Sequence, residues 1–385
     1  MEITKDIKYI GVNDHTIDLF EGQYIVPNGM AYNSYVILDD KIAVLDTVDM
    51  DFKNEWLNNL DKVLNGRNPD YLIVHHMEPD HSSVIKDFVD KYNNAIVVSS
   101  AMAFNMMKNM YGQDFSPNKL VVKEGDELSL GKHTLRFVAA PNVHWPEVMI
   151  SYDAYDKVLF SADAFGKFGA NDIVDEEGWA CEARRYYFGI VGRFGANVQA
   201  LLKKLEGVEV NTICSLHGPI LNDNLSYYLG LYDTWSKYIP ESSGVTVCYT
   251  SVYGNTKKAV LYLADTLKAK GVEVCVFDLA RDDMAEAVES AFELDRLVLA
   301  TTTYNGGMFP YMETFINTLK EHNYQNRKIA LIENGMWAPM ANKTMKAELE
   351  ELKDITFTQS NVTIKGALND EYKAKLDILA DELLK

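Results

Sequence analysis

The sequence of 385 residues has few cysteines, a shortage of basic residues and no long apolar run. Its four cysteines are spread along the chain without a C-x-x-C pair, which argues against a disulfide framework and against a thiolate metal or iron–sulfur site. Lys and Arg number 37 against 56 Asp and Glu, and the net charge of 37 − 56 = −19 argues against nucleic acid and anionic membranes as partners. No apolar run approaches the roughly 18–20 residues of a membrane-spanning helix. The N-terminus also lacks a signal-peptide pattern, so we predict a soluble, cytoplasmic protein.

The length predicts two domains, each large enough to bury its own core. A proline, two serines and a glycine interrupt the periodic pattern over residues 236–245, and a new apolar run begins at Val245. We therefore predict one domain over residues 1–244 and a second over residues 245–385.

The two predicted domains differ in their pattern of strands and helices. Before the break, hairpin-like pairs of apolar runs such as Tyr35–Leu38 and Ile42–Leu45 mix with helical segments such as Lys53–Leu64. This pattern indicates a layered α/β domain with sheets inside and helices outside. After the break, short β-branched runs alternate regularly with helical segments, which is typical of a doubly wound parallel sheet.

Four possible metal ligands follow the apolar run that ends at Val74. His76, Glu78, Asp80 and His81 occur within six residues, at the carboxyl end of a predicted strand. Pro79 is expected to keep this segment from being helical, so that alternate side chains extend from a loop toward two different ions. A polar surface loop is the alternative, but four ligand types at this spacing favour metal binding.

Three further candidates each follow an apolar strand. They are His144 in the loop His144-Trp-Pro-Glu147, Asp163 after Val158–Phe160, and His217 in a His-Gly-Pro turn. Each residue alone is equally compatible with a buried or turn position. Their shared place after a strand indicates that they belong to the same metal site.

The motif His-x-Glu-x-Asp-His, followed by His-Trp-Pro, Asp163 and a late His-Gly-Pro, resembles the metallo-β-lactamase-type domain of the flavodiiron proteins, or A-type flavoproteins. Zinc hydrolases of that fold usually have histidine where this chain has Glu78, and a carboxylate there favours iron. The resemblance implies one iron on His76, Glu78 and His144, a second on Asp80, His81 and His217, and Asp163 as the bridge. In some family members the histidine equivalent to His81 is turned away from the metal.

The second predicted domain begins with a strand, a loop of small and hydroxyl residues, and the start of a helix, Val245–Thr256. Such a loop can bind one phosphate at a helix N-terminus, and it lacks the P-loop and dinucleotide signatures. Two later strand ends carry glycines and aromatic residues that suit a planar ring. Each loop alone is compatible with an ordinary glycine-rich turn, but all three meet at one sheet edge.

These loops resemble those of flavodoxin, and especially those of the flavodiiron version. The resemblance implies FMN, with its phosphate at Ser251, Tyr253, Gly254, Asn255 and Thr256. Its ring is expected at Thr303, Tyr304, Asn305, Gly306, Gly307, Asn334, Gly335, Met336 and Trp337. The expected fold is a metallo-β-lactamase-like αβ/βα sandwich followed by a flavodoxin-like doubly wound parallel sheet.

The family resemblance implies an oxidoreductase that reduces O2 to water, NO to N2O, or both. Electrons are expected from a separate rubredoxin or similar small redox protein, because no rubredoxin-like cysteine pairs follow the flavodoxin-like part. They would pass through FMN to the di-iron centre. A head-to-tail homodimer, or a dimer of such dimers, is expected.

Two other functions remain open from the sequence. One is a zinc-dependent hydrolase of the metallo-β-lactamase fold with a flavodoxin-like appendage, against which Glu78 argues. The other is an electron carrier in which only the flavodoxin-like part works, against which the seven candidate ligands argue.

Overall fold

The computed structural model describes residues 1–176 and 178–385. The chain forms two compact units, Met1–Tyr232 and Asp233–Lys385. Both units combine helices with sheets, so the predicted α/β class is confirmed. The division predicted between residues 244 and 245 stays a prediction.

The first unit is built around two sheets. Its strands are β1 (Ile7–Tyr9), β2 (Val12–Asp14), β3 (Leu19–Phe20), β4 (Tyr24–Ile25), β5 (Met30–Tyr32), β6 (Tyr35–Leu38), β7 (Ile42–Leu45), β8 (Tyr71–Ile73), β9 (Ile96–Ser99), β10 (Lys119–Val121), β11 (Glu127–Ser129), β12 (Thr134–Ala139), β13 (Met149–Asp153), β14 (Val158–Phe160) and β15 (Thr212–Cys214). One sheet has the order β1-β6-β7-β8-β9-β10, and the other has the order β11-β12-β13-β14-β15. The short pairs β2-β5 and β3-β4 lie outside these sheets.

An apolar core joins the inner faces of the two sheets. Tyr35 and Ile37 of β6 are in the same buried cluster as Leu135 and Phe137 of β12. Burial of these side chains removes apolar surface from water. Each Å² removed stabilises the packing of the two layers by about 25 cal/mol. The loops at the carboxyl ends of β8 and β14 are thereby kept in fixed positions.

The helices of the first unit include the predicted segment Lys53–Leu64. They are α1 (Lys53–Leu64), α2 (Pro79–Ser82), α3 (Ile85–Lys91), α4 (Ala101–Tyr111), α5 (Trp179–Tyr186) and α6 (Gly195–Leu205), with 3-10 turns at Met50–Phe52 and Gly192–Phe194 and a π-helical turn at Tyr187–Val191. Helix α7 (Leu225–Ser236) runs across the division between the units. Helix α1 begins and ends at the predicted residues, because its apolar residues Trp56, Leu60 and Leu64 recur at helical spacing and are all buried.

The second unit is a parallel sheet with alternating helices. Its elements are β16 (Ser242–Tyr249), α8 (Asn255–Ala269), β17 (Val274–Asp278), α9 (Met284–Glu293), β18 (Leu294–Thr302), α10 (Pro310–Glu321), β19 (Arg327–Asn334), α11 (Ala341–Leu349), β20 (Ile355–Phe357), β21 (Val362–Ile364) and α12 (Asp370–Leu383). The strand order is β17-β16-β18-β19-β20, with β21 also paired to β19. All of these pairs are parallel, so the loops after β16, β18 and β19 meet at one edge.

Among the residues that the structure describes, none of the helices combines the length and the apolar character needed to cross a bilayer.

Candidate functional site

The segment from His76 to Ser82 differs from its predicted conformation. Pro79 begins the one-turn helix α2, and Glu78 precedes that helix in extended backbone. The expectation that Pro79 prevents a helix was wrong, because proline is tolerated at the first helical position, where no backbone N–H is needed. As a result Asp80 and His81 project from the helix, while His76 and Glu78 come from the extended segment before it.

The first cluster consists of His76, Glu78, His144 and Asp163, whose ligand atoms all lie within 4.8 Å of one another. His144 Nε2 is 3.0 Å from Glu78 Oε2 and 2.9 Å from Asp163 Oδ2. His76 Nε2 is 3.3 Å from the same two oxygens. Two imidazole nitrogens and two carboxylates therefore converge on one small region.

The second cluster consists of Asp80, His81 and His217. The Nε2 atoms of His81 and His217 are 2.9 Å apart, and each lies 3.3 Å from Asp80 Oδ2. Asp163 Oδ1 is 3.5 Å from His81 Nε2 and 4.0 Å from His217 Nε2. Because Oδ2 of the same residue faces the first cluster, Asp163 has the position expected of a bridging carboxylate.

All seven predicted metal ligands are thus brought together, in the two predicted groups. His76, His81, His217 and Asp163 are completely buried. Burial alone lowers the pKa of His76, but the nearby carboxylates, Asp163 first among them, hold its pKa well above the ordinary value. Burial likewise raises the pKa of Asp163, yet the neighbouring imidazoles reverse the effect and lower that pKa. Buried charge of both signs is concentrated here, and that is the usual mark of a functional site.

The side chains fit a pair of divalent ions. Both carboxylate oxygens of Asp80 and of Asp163 are buried, and neither pair accepts a well-aligned hydrogen bond from a described residue, although imidazole nitrogens lie close by. Nitrogen and oxygen atoms of several side chains that converge on a common point in this way are arranged as metal ligands are. Imidazole nitrogen with carboxylate oxygen suits first-row transition ions, and the thiolates that zinc and iron–sulfur sites often use are not part of either cluster.

Two residues next to the clusters are not among the predicted ligands. Glu147 was quoted in the His144 motif without a role, yet its Oε1 accepts a hydrogen bond from His76 Nδ1 at 2.9 Å. Tyr186 is buried with its ring 5.5 Å from that of His217, and its hydroxyl has no partner among the described residues. Burial and the nearby carboxylates, Asp163 first, raise the pKa of Tyr186. A carboxylate three residues after a candidate ligand was a usable signal for Glu147. The aromatic run Tyr186–Phe188 was a candidate to reach the metal pocket, but the sequence favoured a core role for it.

A third group, His133, Asp153 and Asp156, was not predicted either. His133 Nδ1 lies 3.0 Å from Asp153 Oδ2, and both side chains are buried. The carboxylates outweigh burial and raise the pKa of His133. These contacts describe a buried ion pair that joins the start of β12 to the end of β13.

The second unit contains a cleft of about 690 Å³ at the edge where the strands β16, β18 and β19 end. Its lining includes the following predicted residues: Ser251, Tyr253, Asn255, Thr256, Thr303, Tyr304, Asn305, Gly306, Asn334, Gly335, Met336 and Trp337. Val252, Thr302, Ala338 and Gly366 also line it and were not predicted. Gly254 and Gly307 were predicted as contacts but do not line the cleft.

These two glycines instead shape the loops. Gly254 has φ +84°, a left-handed conformation that favours glycine, and it directly precedes helix α8. Gly307 closes a tight turn with Tyr304 through two backbone hydrogen bonds of 2.9 and 3.0 Å. Turn geometry, which depends on backbone angles, therefore explains both positions.

The cleft suits a flat ring joined to a phosphate. Ser251 Oγ accepts hydrogen bonds from the N–H groups of Gly254 and Lys257 at 3.1 and 3.3 Å, which orders the loop at the positive end of α8. Tyr253 and Trp337 at the cleft are 92% and 81% exposed. Aromatic side chains so exposed gain contact area only when a ligand or partner covers them.

Comparison with known proteins supports both halves. Residues 30–218 match the family model described as ODP family beta lactamase, and residues 246–372 match that of a flavodoxin domain. Putative diflavin flavoprotein A 1 of Nostoc sp. is 32% identical over 340 residues, covering 87% of this chain and 58% of that protein. The anaerobic nitric oxide reductase flavorubredoxin of Salmonella arizonae is 28% identical over 362 residues, covering 91% of this chain and 75% of that protein. The chain spans about half the length of the diflavin flavoproteins that it matches.

The structural comparison extends over the whole chain. The crystal structure of the flavodiiron protein from Giardia intestinalis matches with a TM-score of 0.92 at 26% identity, covering 100% of this chain and 96% of that one. The expected order, a metallo-β-lactamase-like domain followed by a flavodoxin domain, is confirmed. With His, Asp and Glu clusters that suit two irons and a flavodoxin domain that implies FMN, the chain belongs to the flavodiiron protein family.

Proposed function

We propose that this chain is an oxidoreductase that reduces O2 to water, NO to N2O, or both. The observation that carries the proposal is the pair of buried clusters that share Asp163, in a chain whose second unit has a flavin-type cleft. When bound, FMN supplies storage for two electrons and the iron pair supplies the place where the gas is reduced. One relative bears the name anaerobic nitric oxide reductase flavorubredoxin, which supports NO as one substrate.

The residues of the first unit have distinct tasks in this proposal. His76, Glu78 and His144 would hold one iron, and Asp80, His81 and His217 the other, with Asp163 between them. Most of these side chains are buried, which limits the access of bulk water to the site. The proposed reductions consume protons, so groups of the chain near the site would have to supply or relay them. The Tyr186 hydroxyl, buried and without a partner in the described structure, would be available to donate a hydrogen bond to a substrate oxygen.

Metal and flavin analysis of anaerobically purified protein is the first test. We expect two irons and one FMN per chain, with consumption of O2 or NO when a reduced donor is supplied. Zinc in place of iron, after zinc uptake during expression has been excluded, contradicts the proposal. The zinc-hydrolase alternative is not favoured, because Glu78 takes the position of the zinc enzymes' histidine and the matched relatives are flavoproteins.

The electron donor would dock at the flavin cleft. Lys257 and Lys258 are exposed in the first turn of α8, next to the cleft residue Thr256, and neither forms an ion pair with a described residue. Most of the other lysines of this unit pair with carboxylates, for example Lys320 with Glu348 at 2.7 Å. Unpaired positive charge beside the cleft suits a small acidic redox protein such as a rubredoxin, despite the net charge of −19.

The proposed assembly is a head-to-tail homodimer, alone or as a dimer of dimers, in the cytoplasm. In such a dimer the flavin of one chain serves the iron pair of its neighbour. Mixing two inactive variants tests this arrangement, with Asp163→Ala removing the iron site and Ser251→Asp repelling the FMN phosphate. Activity that returns after the two variants are dissociated and reassociated together supports transfer between chains. Continued inactivity of verified mixed dimers contradicts it.

A further inference from the structure

Glu147 makes a contact that distinguishes the two clusters. The side chain is buried in the loop between β12 and β13, and its Oε1 accepts hydrogen bonds from His76 Nδ1 and from the backbone N–H of Met77, each at 2.9 Å. Because a carboxylate can only accept, Nδ1 of His76 carries the proton. The lone pair of His76 is therefore on Nε2, the atom that faces Glu78 and Asp163.

The second cluster has no comparable support in the described structure. His217 Nδ1 donates to the backbone oxygen of Ala31 at 2.7 Å, which orients the ring but places no negative charge behind it. His81 Nδ1 is buried and has no hydrogen-bond partner among the described residues. The His217 imidazole is thus oriented by a neutral acceptor, and the His81 imidazole has no partner for its Nδ1 among the described residues.

We propose that Glu147 is a positioning residue that makes the first cluster bind a divalent ion more tightly than the second. A carboxylate behind a ligating imidazole fixes its tautomer and orientation and increases its basicity, and such partners contribute roughly 10–100-fold to metal affinity. The inference rests on the proposed function only in requiring that both clusters bind ions. It predicts that the ion of the second cluster is the first to be lost to a chelator.

Cobalt(II) binding to the metal-free, full-length chain tests the proposal, with visible spectra and competition by a chelator as the readouts. Each cluster is measured alone, in a His217→Ala background for the first and a His144→Ala background for the second. Glu147→Gln keeps an acceptor oxygen and the side-chain volume but removes the charge. We expect it to weaken binding in the His217→Ala background by roughly tenfold or more and to leave the His144→Ala background within about threefold.

Further variants separate positioning from a general structural role. Glu147→Ala removes the acceptor as well, so it should weaken the first cluster further and broaden its cobalt spectrum. Glu333→Gln makes the same chemical change at a buried glutamate of the second unit and should affect neither cluster. Circular dichroism of each variant establishes that it is folded, and the conservative Gln variant keeps the test valid if the Ala variant does not fold.

The results distinguish this inference from the proposed function. Equal weakening of both clusters by Glu147→Gln, or no effect on either, overturns the role of Glu147. Failure of the iron-loaded wild type to consume O2 or NO overturns the reductase proposal, whatever the cobalt measurements show. Two equal cobalt affinities in the wild type also contradict the proposal that the first cluster binds a divalent ion more tightly than the second.

Discussion

The metal clusters and the flavin cleft differ in their exposure to solvent. The most exposed side chain of the first cluster, Glu78, is 13% exposed, whereas Tyr253 and Trp337 at the cleft are almost bare. Ions held by charge need converging ligands in a medium of low dielectric constant, where electrostatic attraction is strong. A ring that receives electrons from another protein needs an edge that the other protein can reach. Each site therefore has the burial that its cofactor requires.

The two sites also differ in how the chain builds them. The candidate metal ligands come from segments far apart in the sequence, and contacts such as that between His217 and Ala31 hold them in place. The cleft is formed mostly by successive loops at one edge of a parallel sheet. A substitution far from the metal site in the first unit should therefore disturb that site more than a distant substitution in the second unit disturbs the cleft. Four predictions test this contrast.

Asp163→Ala should have the largest effect and should act on the metal site alone. Asp163 has oxygens toward both clusters, so its loss removes a ligand from each. We expect loss of both irons and a fall in O2 and NO consumption of more than about 100-fold, beyond the effect of losing an outer hydrogen-bond partner. Metal analysis and gas electrodes measure these changes. FMN content should remain at the wild-type level, and retention of two irons would show that Asp163 does not bridge.

Thr256→Val should act on the flavin site alone. The buried Thr256 lies in the first turn of α8 and lines the cleft, where its hydroxyl is predicted to bind the phosphate. One hydrogen bond to a charged group contributes about 1.5 kcal/mol, so FMN affinity should fall roughly tenfold. Flavin fluorescence titration measures it. Thr266→Val, later in the same helix, is the matched control, and an equal loss in both variants would place the phosphate elsewhere.

Lys257→Glu combined with Lys258→Glu should slow electron transfer from an acidic donor such as rubredoxin by several-fold at low salt. The two lysines are exposed beside the cleft, and reversing their charge replaces attraction by repulsion. Stopped-flow reduction of the bound flavin measures the rate. The difference from wild type should shrink as salt rises, because exposed charges are screened. Lys268→Glu at the far end of α8 is the control. The same salt dependence of the reduction rate in the wild type, the double variant and the control would show that Lys257 and Lys258 do not attract the donor.

His133→Asn should have the smallest effect, a pH-dependent loss of stability in the first unit. His133 faces Asp153, Asp156 and Asp6, whose carboxylates raise its pKa above the ordinary value. A raised pKa stabilises the folded chain below the unfolded pKa of about 6.5, and this contribution disappears as pH rises through the folded pKa. We expect a loss of about 1 kcal/mol at low pH, which lowers Tm by about 2–4 °C, and a smaller loss at pH 9.

Thermal unfolding of the wild type and of His133→Asn, from below the unfolded pKa up to pH 9, measures the difference in their stability. The FMN affinity of the variant should equal that of the wild type. A loss of stability that grows with pH would contradict the ion pair between His133 and Asp153.

The sequence was most informative where chemistry depends on short segments. The motif from His76 to His81, the hydroxyl loop before α8 and the alternation of strands and helices all lie within a few turns of chain. Side-chain type and spacing express such features directly, and the structure brings the seven ligands into the two predicted groups. The family could therefore be predicted from these motifs, and its cofactors from the resemblance that the motifs carry.

Other features depended on how distant segments pack. A proline can end a helix or begin one, and only the structure shows that Pro79 begins the one-turn helix α2. The contact of Gly254 and Gly307 with FMN stays a prediction, and the structure adds that their backbone conformations shape the loops beside the cleft. The nearness of Tyr186 to His217 joins residues with no common motif.

By itself the sequence determined the candidate ligand types, because these follow from side-chain chemistry at the ends of apolar strands. Through the family resemblance that its motifs carry, it also indicated the order of the domains and the class of cofactors. Only the tertiary structure decided that Asp163 faces both clusters, that Glu147 supports one of them, and which residues are buried or exposed. The reason is physical. Burial, electrostatic environment and hydrogen-bond partners arise when segments distant in sequence pack together, and no single segment specifies them.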